Sequence, residues 1–346
     1  MVSTRRKRFS SDISISKRPK QDENNTNNII IRNIDSIEDL IELGKSYDPD
    51  NPRQSNINIE VVYNMLEPLV DLSNLVGMKE VKQSVLNQVI YFLQNFHDGN
   101  LDMLHTVIQG PPGVGKTELG RILGRLYVNM GVLTRDTFIA VKRSDLIAKY
   151  LGQTADKTQK VINKALGGVL FIDEAYSLGD NESRDSYSKE CLDTLNQNLT
   201  EYKANFMCII AGYEEDLERC FFSFNPGLRR RFTFRYTISG YSPEELKEIL
   251  IRKITSENWF IENPLENSLP TSFFQSNKDS FKNYGGDMEV LFLNIKLAHS
   301  RRVFNLSNEA KKYITLDDLN KGFQLYLNNT QKIKKVENTS YLQMYL

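Results

Sequence analysis

The chain has 346 residues, carries 44 Lys and Arg against 44 Asp and Glu, and contains three cysteines and three histidines. The balanced charge gives no bulk reason to expect nucleic acid or an anionic membrane as partner, and no apolar run approaches the ~18 residues of a membrane span. Cys191, Cys208 and Cys220 have no paired spacing and no His beside them at zinc spacing, which argues against a disulfide framework or a structural zinc and fits reduced thiols in the cytosol or nucleus.

Residues 1–28 are polar, basic and Asn-rich, too poor in apolar side chains to fold alone. Within them Arg5-Arg6 followed by "KRPK" at 17–20 has the form of a bipartite nuclear import signal, a plain basic tail being the alternative. The opening residues lack the apolar stretch of a secretory signal. Segment 29–45 reads as a short strand and helix, and "DPDNPRQSN" at 48–56 as a linker, so 29–70 is expected to be an N-terminal extension. A packed pattern begins near residue 57. Helical spacing runs through 81–96, with Val85, Val89, Phe92 and Leu93 on one side. "LHTVIQG" (104–110), "FIAV" (138–141), "VLFID" (169–173) and "FMCIIAG" (206–212) read as strands, separated by helical stretches such as 118–130. Strands alternating with helices imply an α/β fold with a parallel sheet covered on both faces. After residue 240 the pattern turns helical. "YSPEEL" is a capping box with Pro at the first helical position. Further helices are expected at 270–282, 286–304 and 316–328, with Asp287 at the positive end of the second of these and Thr315 capping the last.

Two motifs carry chemistry. "GPPGVGKT" (110–117) lies between a strand and a helix, the context that a phosphate-binding loop requires. Gly110, Pro111 and Pro112 lead out of the strand. Gly113 and Gly115, either side of Val114, let the backbone curl so that its N–H groups face phosphate oxygens. Lys116, Thr117 and Glu118 open the helix, whose positive end favours the same anion. Lys116 is expected to reach the β- and γ-phosphates of ATP, and Thr117 to ligate Mg²⁺. The second motif, "GGVLFIDEA" (167–175), sets two carboxylates at the end of a buried strand. Asp173 is expected to hold Mg²⁺ and Glu174 to deprotonate the attacking water, which makes the chain an ATPase and more than a nucleotide binder.

With "LVGMKEVK" (75–82), "KYLGQTADKTQKVINKALGGVLFIDEAYSL" (149–178), "IIAGYEEDLE" (209–218) and "NPGLRRRF" (225–232), these motifs resemble an AAA+ ATPase of the CbxX/CfxQ type over about residues 72–328. The resemblance implies an α/β domain with a five-stranded parallel sheet at 71–239, a small helical lid domain at 240–330 and a tail at 331–346. It puts Val76 and Gly77 at adenine and Tyr213 in the place of the residue that positions water. It makes "NPGLRRRF" the source of an arginine finger acting across a subunit boundary, hence a homo-oligomer, by resemblance a hexameric ring. The three adjacent arginines Arg229, Arg230 and Arg231 leave the choice open, and Arg229 and Arg231 are favoured because they share a side if the segment is extended. One position departs from the bacterial pattern. Met288 in "GGDMEVLF" stands where the lid carries a nucleotide-touching Arg, a variant found among eukaryotic and large-virus relatives. Lys296 is the candidate substitute, a surface role the alternative.

AAA+ rings grip substrate with the loop after the second core strand, here Lys149 to Gly152. Tyr150 and Leu151 would present an apolar, non-directional grip for unfolded polypeptide, unless Tyr150 belongs to the core. Thr154 is expected to cap the helix that anchors this loop, and 179–186 offers a second, charged loop. The leading reading is a remodeller that threads a protein partner. A nucleotide-switched scaffold with slow hydrolysis and a motor on nucleic acid are the alternatives, the latter less favoured because Lys149 is the single cation beside Tyr150. The Rubisco-reactivating role known for bacterial members is not carried over, since nothing in these residues identifies that substrate.

Overall fold

The computed structural model describes residues 33–50, 57–97, 102–150, 152–179, 185–262, 269–307 and 310–343. The basic tail with its import motif, residues 29–32 of the expected first strand, most of the 48–56 linker and Leu151 lie outside them. Five strands, β1 (His105–Gln109), β2 (Phe138–Val141), β3 (Val169–Ile172), β4 (Met207–Gly212) and β5 (Phe232–Thr237), form one sheet in the order β2-β3-β4-β1-β5. Every pairing is parallel. The three central strands are buried at every position, as expected where helices cover both faces. Alternation divides their side chains. Met207, Ile209 and Ala211 of β4 join the core shared with helices Lys79–Leu93 and Lys116–Asn129. Cys208 and Ile210 face the other core, under helices Thr154–Ala165 and Ser186–Glu201.

Two local features hold this frame. Gly120 lets the helix Lys116–Asn129 lie on the sheet, because a methyl group there would stand 2.8 Å from the Phe171 ring. His105 is buried and neutral: its Nε2–H donates to the Leu199 carbonyl (2.9 Å), and its Nδ1 accepts from the Cys208 N–H (3.1 Å). Burial pulls its pKa down to about 4, outweighing the bond to Leu199.

Helices Ile37–Lys45, Ile59–Asn64 and Leu66–Asn74 pack into the same core through Leu40, Val62, Met65, Leu69 and Leu72. The C-terminal part contains helices Pro243–Ser256, Thr271–Ser276, Gly285–Arg302 and Leu316–Gln343. The capping box at Ser242 forms as the sequence predicts, the expected Thr315 cap proves to be reciprocal with Asp318, and Asp287 accepts the Asn283 N–H at the start of its helix. The expectation of a purely helical C-terminal part needs correction. Strands β6 (Phe260–Ile261) and β7 (Tyr313–Ile314) pair in parallel and join segments far apart in sequence. Among the described residues no helix is long and apolar enough to cross a membrane.

Candidate active site

The loop between β1 and the helix starting at Lys116 uses left-handed backbone at Gly113 (φ 69°) and Gly115 (φ 87°), where a Cβ would be strained. Val114 between them is fully buried. The Gly110 N–H donates to Gly212 O (3.2 Å), which pins the loop to the end of β4. Lys116 folds back over the loop and donates from Nζ to the carbonyls of Gly110 (2.8 Å) and Pro111 (2.7 Å). Burial lowers its pKa, and the carboxylates of Asp173 and Glu174 draw it back up. Tyr213 presents its ring face 5.4 Å from the ammonium.

At the end of β3, the Asp173 N–H donates to Val141 O (2.9 Å) and Asp173 Oδ1 accepts the Glu174 N–H (3.1 Å). Glu174 is exposed and holds left-handed backbone at φ 51°. For a non-glycine residue that conformation costs ~1–3 kcal/mol and clusters at functional sites. The next turn, Ala175–Leu178, carries Tyr176, whose ring stacks on Tyr213 with centroids 5.6 Å apart. Burial first, then Glu174 and Tyr213, push Tyr176 up to about 12, so its hydroxyl remains a donor at neutral pH. The sequence reading assigned Tyr176 no role; its position two residues after Glu174 was the available signal.

Pro112, Gly113, Val114, Gly115, Lys116, Thr117 and Glu118 meet Asp173, Glu174, Tyr176 and Tyr213 around one cavity of about 430 Å³. Gly110 and Pro111 act behind it, through Lys116. Val76 and Gly77 do not line this cavity but lie close by. Val76 is nearly buried, and a methyl on Gly77 would collide with the Glu245 carboxylate. Met78, the next residue, would stand 3.4 Å from a methyl on Gly115.

The arginine segment is a short helix, Pro226–Arg231, capped by Asn225 Oδ1 on the Gly227 N–H (2.8 Å). This corrects the ground for pairing Arg229 with Arg231. At ~100° per helical residue the two point to different sides. Arg229 bonds Glu218, whereas Arg231 donates to Thr200 Oγ1 (2.7 Å) and Gly227 O (2.8 Å). None of the three arginines lines the cavity of its own chain.

Tyr150 is 68% exposed, so it is not a core residue. Gly152 follows in left-handed backbone at φ 79°. Thr154 is not the cap that the sequence suggests. It is the first helical residue, buried, and its hydroxyl accepts the Ala148 N–H (3.3 Å), closing the loop on itself. Two residues that sequence reasoning missed anchor this region. Lys157 donates to the carbonyls of Ser144 (2.7 Å) and Ile147 (2.8 Å). Arg143 reaches the Ser177 carbonyl, Ser188 Oγ (2.7 Å) and the Asp185 carboxylate. It thereby ties the segment before Tyr150 to the turn after Glu174 and to the base of the second loop, of which 180–184 lie outside the described residues.

A family model described as "ATPase family associated with various cellular activities (AAA)" matches residues 106–239. The cfxQ-like protein R730 of Acanthamoeba polyphaga mimivirus is 42% identical over 323 residues, 92% of this chain and 78% of that protein. The chain belongs to the AAA ATPases of the CbxX/CfxQ type. Stage V sporulation protein K of Bacillus subtilis is 38% identical over 195 residues, 55% of this chain and 60% of its own length. The ESX-3 secretion system protein EccA3 of Mycolicibacterium smegmatis is 35% identical over 194 residues, though that match spans only 32% of EccA3. Among solved structures, the FIGL-1 AAA domain in complex with ADP matches with a TM-score of 0.55 at 19% identity, covering 73% of this chain and 83% of that one, a likeness of fold alone.

In this CfxQ-type ATPase the C-terminal part, the expected lid, meets the loop 110–117 through backbone and a hydroxyl. The Gly285 N–H donates to Gly113 O (3.0 Å), and the Tyr241 hydroxyl to Val114 O (2.9 Å). Met288 is fully buried in the core. Lys296 does not replace the missing arginine: it pairs with Glu257 (2.7 Å) and lies over the Phe292 ring.

Proposed function

We propose that the chain hydrolyses ATP within a ring of its own copies and uses turnover to pull on or loosen a protein partner. The observation that carries this reading is the exposed Tyr150, on a loop that Arg143 links to the turn following Glu174. An aromatic held in solvent on an anchored loop suits non-directional capture of unfolded chain.

The residues fit a nucleoside triphosphate with magnesium. Gly113 and Gly115 leave the room a backbone cradle needs, and Lys116 has only two carbonyls to release before meeting phosphate. Thr117 and Asp173 supply hard oxygen ligands. Among the described residues no cluster of three or more His, Cys, Asp or Glu forms, and none is needed where phosphates complete the shell. Bound there, magnesium would neutralise charge on the β- and γ-phosphates. Glu174 takes a proton from water as its oxygen bonds to the γ-phosphorus, while the bond to the β–γ bridging oxygen breaks. Tyr213 and Tyr176 shape the γ-phosphate end, and Val76 and Gly77 border the adenine. Arg229 is the favoured finger for the neighbouring copy: it is exposed and held through a surface ion pair to Glu218, while Arg231 is turned back onto Thr200 and Gly227, and the equally exposed Arg230 is the alternative. A slow, nucleotide-switched scaffold is the second reading, motivated by the buried Met288.

Glu174→Gln would trap ATP-bound rings, and a photocrosslinker at position 150 of the trap would capture what the loop holds. Polypeptide is the expected product. Nucleic acid alone would overturn the remodelling reading. Tyr150→Ala should keep basal ATP turnover within about twofold and abolish action on the captured protein. An unfolded Tyr150→Ala protein would instead return the ring to a structural role.

A further inference from the structure

The segment from Tyr213 to Arg235 connects the phosphate end of the site to the arginine helix. Tyr213 O accepts the Leu217 N–H (2.9 Å), and a rare π-helical turn, Leu217–Phe222, follows. Such turns are uncommon and are often found at functional sites. Leu217 is buried and lies close against Gly212 at the end of β4. The next residue, Glu218, points to the surface and is shared by two guanidinium groups. Its Oε1 accepts from Arg235 Nη1 (2.8 Å) and its Oε2 from Arg229. Both guanidiniums also lie over the Phe222 ring, at 4.6 Å for Arg235 and 5.4 Å for Arg229.

We infer that Glu218 is a latch that holds Arg229 against its own chain and competes with the phosphate of a neighbouring copy for that guanidinium. The inference rests on the reading of Arg229 as a finger acting across a subunit boundary. The geometry suits a reversible hold. The Arg229 side chain is 55% exposed and that of Glu218 33%, so the pair is screened by water and opens at small cost. Arg235 is less exposed and stays on the other carboxylate oxygen, so releasing Arg229 leaves Glu218 with a partner. Arg229 is thus the member free to leave, and a triphosphate, with more negative charge than one carboxylate, is the group that would draw it out. A cation neutralised at home would also be less attractive to the wrong surfaces of other copies. Because Glu218 follows Leu217 directly, its place depends on the end of β4, where Tyr213 meets Lys116.

The test measures ATP turnover against protein concentration for the full chain, Glu218→Gln, Arg229→Ala and the double variant, with melting temperatures alongside. Glu218→Gln should halve the protein concentration for half-maximal turnover or lower it further, by about two- to fivefold, the span of exposed ion pairs. It should lower the KM for ATP in the same proportion and leave kcat at saturating protein unchanged. Arg229→Ala should lose turnover, and the double variant should match it. Glu215→Gln, an exposed acid in the same segment, should behave as wild type. Should Glu218→Gln fail to fold, Glu218→Asp, too short to span both arginines, is expected to shift the same two quantities by less. An unchanged or raised protein concentration for half-maximal turnover in a folded Glu218→Gln, with Arg229→Ala still inactive, overturns the latch and leaves the finger standing. Wild-type turnover in Arg229→Ala overturns the finger itself, and the latch with it.

Discussion

On its α/β side the proposed nucleotide cavity is lined by side chains at the ends of strands and the start of a helix: Lys116, Asp173, Glu174 and Tyr213. On its lid side the contacts to the phosphate loop come from the Gly285 N–H and the Tyr241 hydroxyl. Three cations of the lid are engaged elsewhere, Lys296 with Glu257, Lys253 with Glu289 and Arg302 with Asp318. The difference teaches where chemistry can change without loss of fold. A strand end projects side chains into a crevice that no core needs. A lid helix lays its side chains into packing, so a buried Met288 can replace a charged residue while the backbone contact persists.

The largest expected effect tests the α/β side. Glu174→Gln should lower ATP turnover by at least ~10²-fold with nucleotide binding retained, as steady-state assays and equilibrium titration would show. Residual turnover within tenfold of wild type would move the base elsewhere. The lid is probed by Met288→Arg. Burying an unpaired guanidinium should cost at least ~3 kcal/mol in denaturant unfolding, with no gain in turnover. A stable and faster Met288→Arg would show that the lid can still reach the nucleotide, and the contrast between the two sides would fail.

Acid separates the two parts as well. His105 titrates in the sheet at about 4 against ~6.5 unfolded, so the unfolded chain binds the proton first as pH falls. Its contribution is complete above that unfolded value and falls by about 3 kcal/mol between pH 7 and pH 4. In the lid, burial raises Asp318, but bonds from Arg302, His299 and Thr315 outweigh it and hold the carboxyl well below its usual range. That contribution is complete above the unfolded value of ~3.9 and is lost only below it. Urea unfolding at pH 7 and pH 5 should therefore show a loss that originates in the sheet, and a His105→Gln chain that folds should lose most of that slope. The smallest effect belongs to Tyr241→Phe, which removes one hydrogen bond between lid and loop. It should cost ~1 kcal/mol and weaken nucleotide binding by less than about tenfold.

Much of the site was legible before any tertiary structure. The glycines and lysine of 110–117 and the carboxylates after 169–172 are local patterns, and the strand–helix alternation fixes how they converge. Other residues were not legible, because what decides them lies far along the chain. Thr154 resembles a cap until its burial against Ala148 is known. Arg229 and Arg231 share a side only in an extended segment, and Asn225 with Pro226 start a helix instead. Arg143 and Lys157 acquire meaning only once Ser177, Asp185 and Ile147 are beside them.

The amino-acid sequence by itself determined the phosphate loop, the paired carboxylates and the parallel sheet, since each is a matter of residue type at short spacing, whereas the departure at Met288 is visible only against the family resemblance. Tertiary structure alone decided which cations are free to act. Lys296 and Arg231 read as available charges in the sequence, and each is taken by a partner 4 to 39 residues away. Charge is a property of the residue, but availability depends on which oppositely charged or carbonyl group the fold brings within hydrogen-bonding reach.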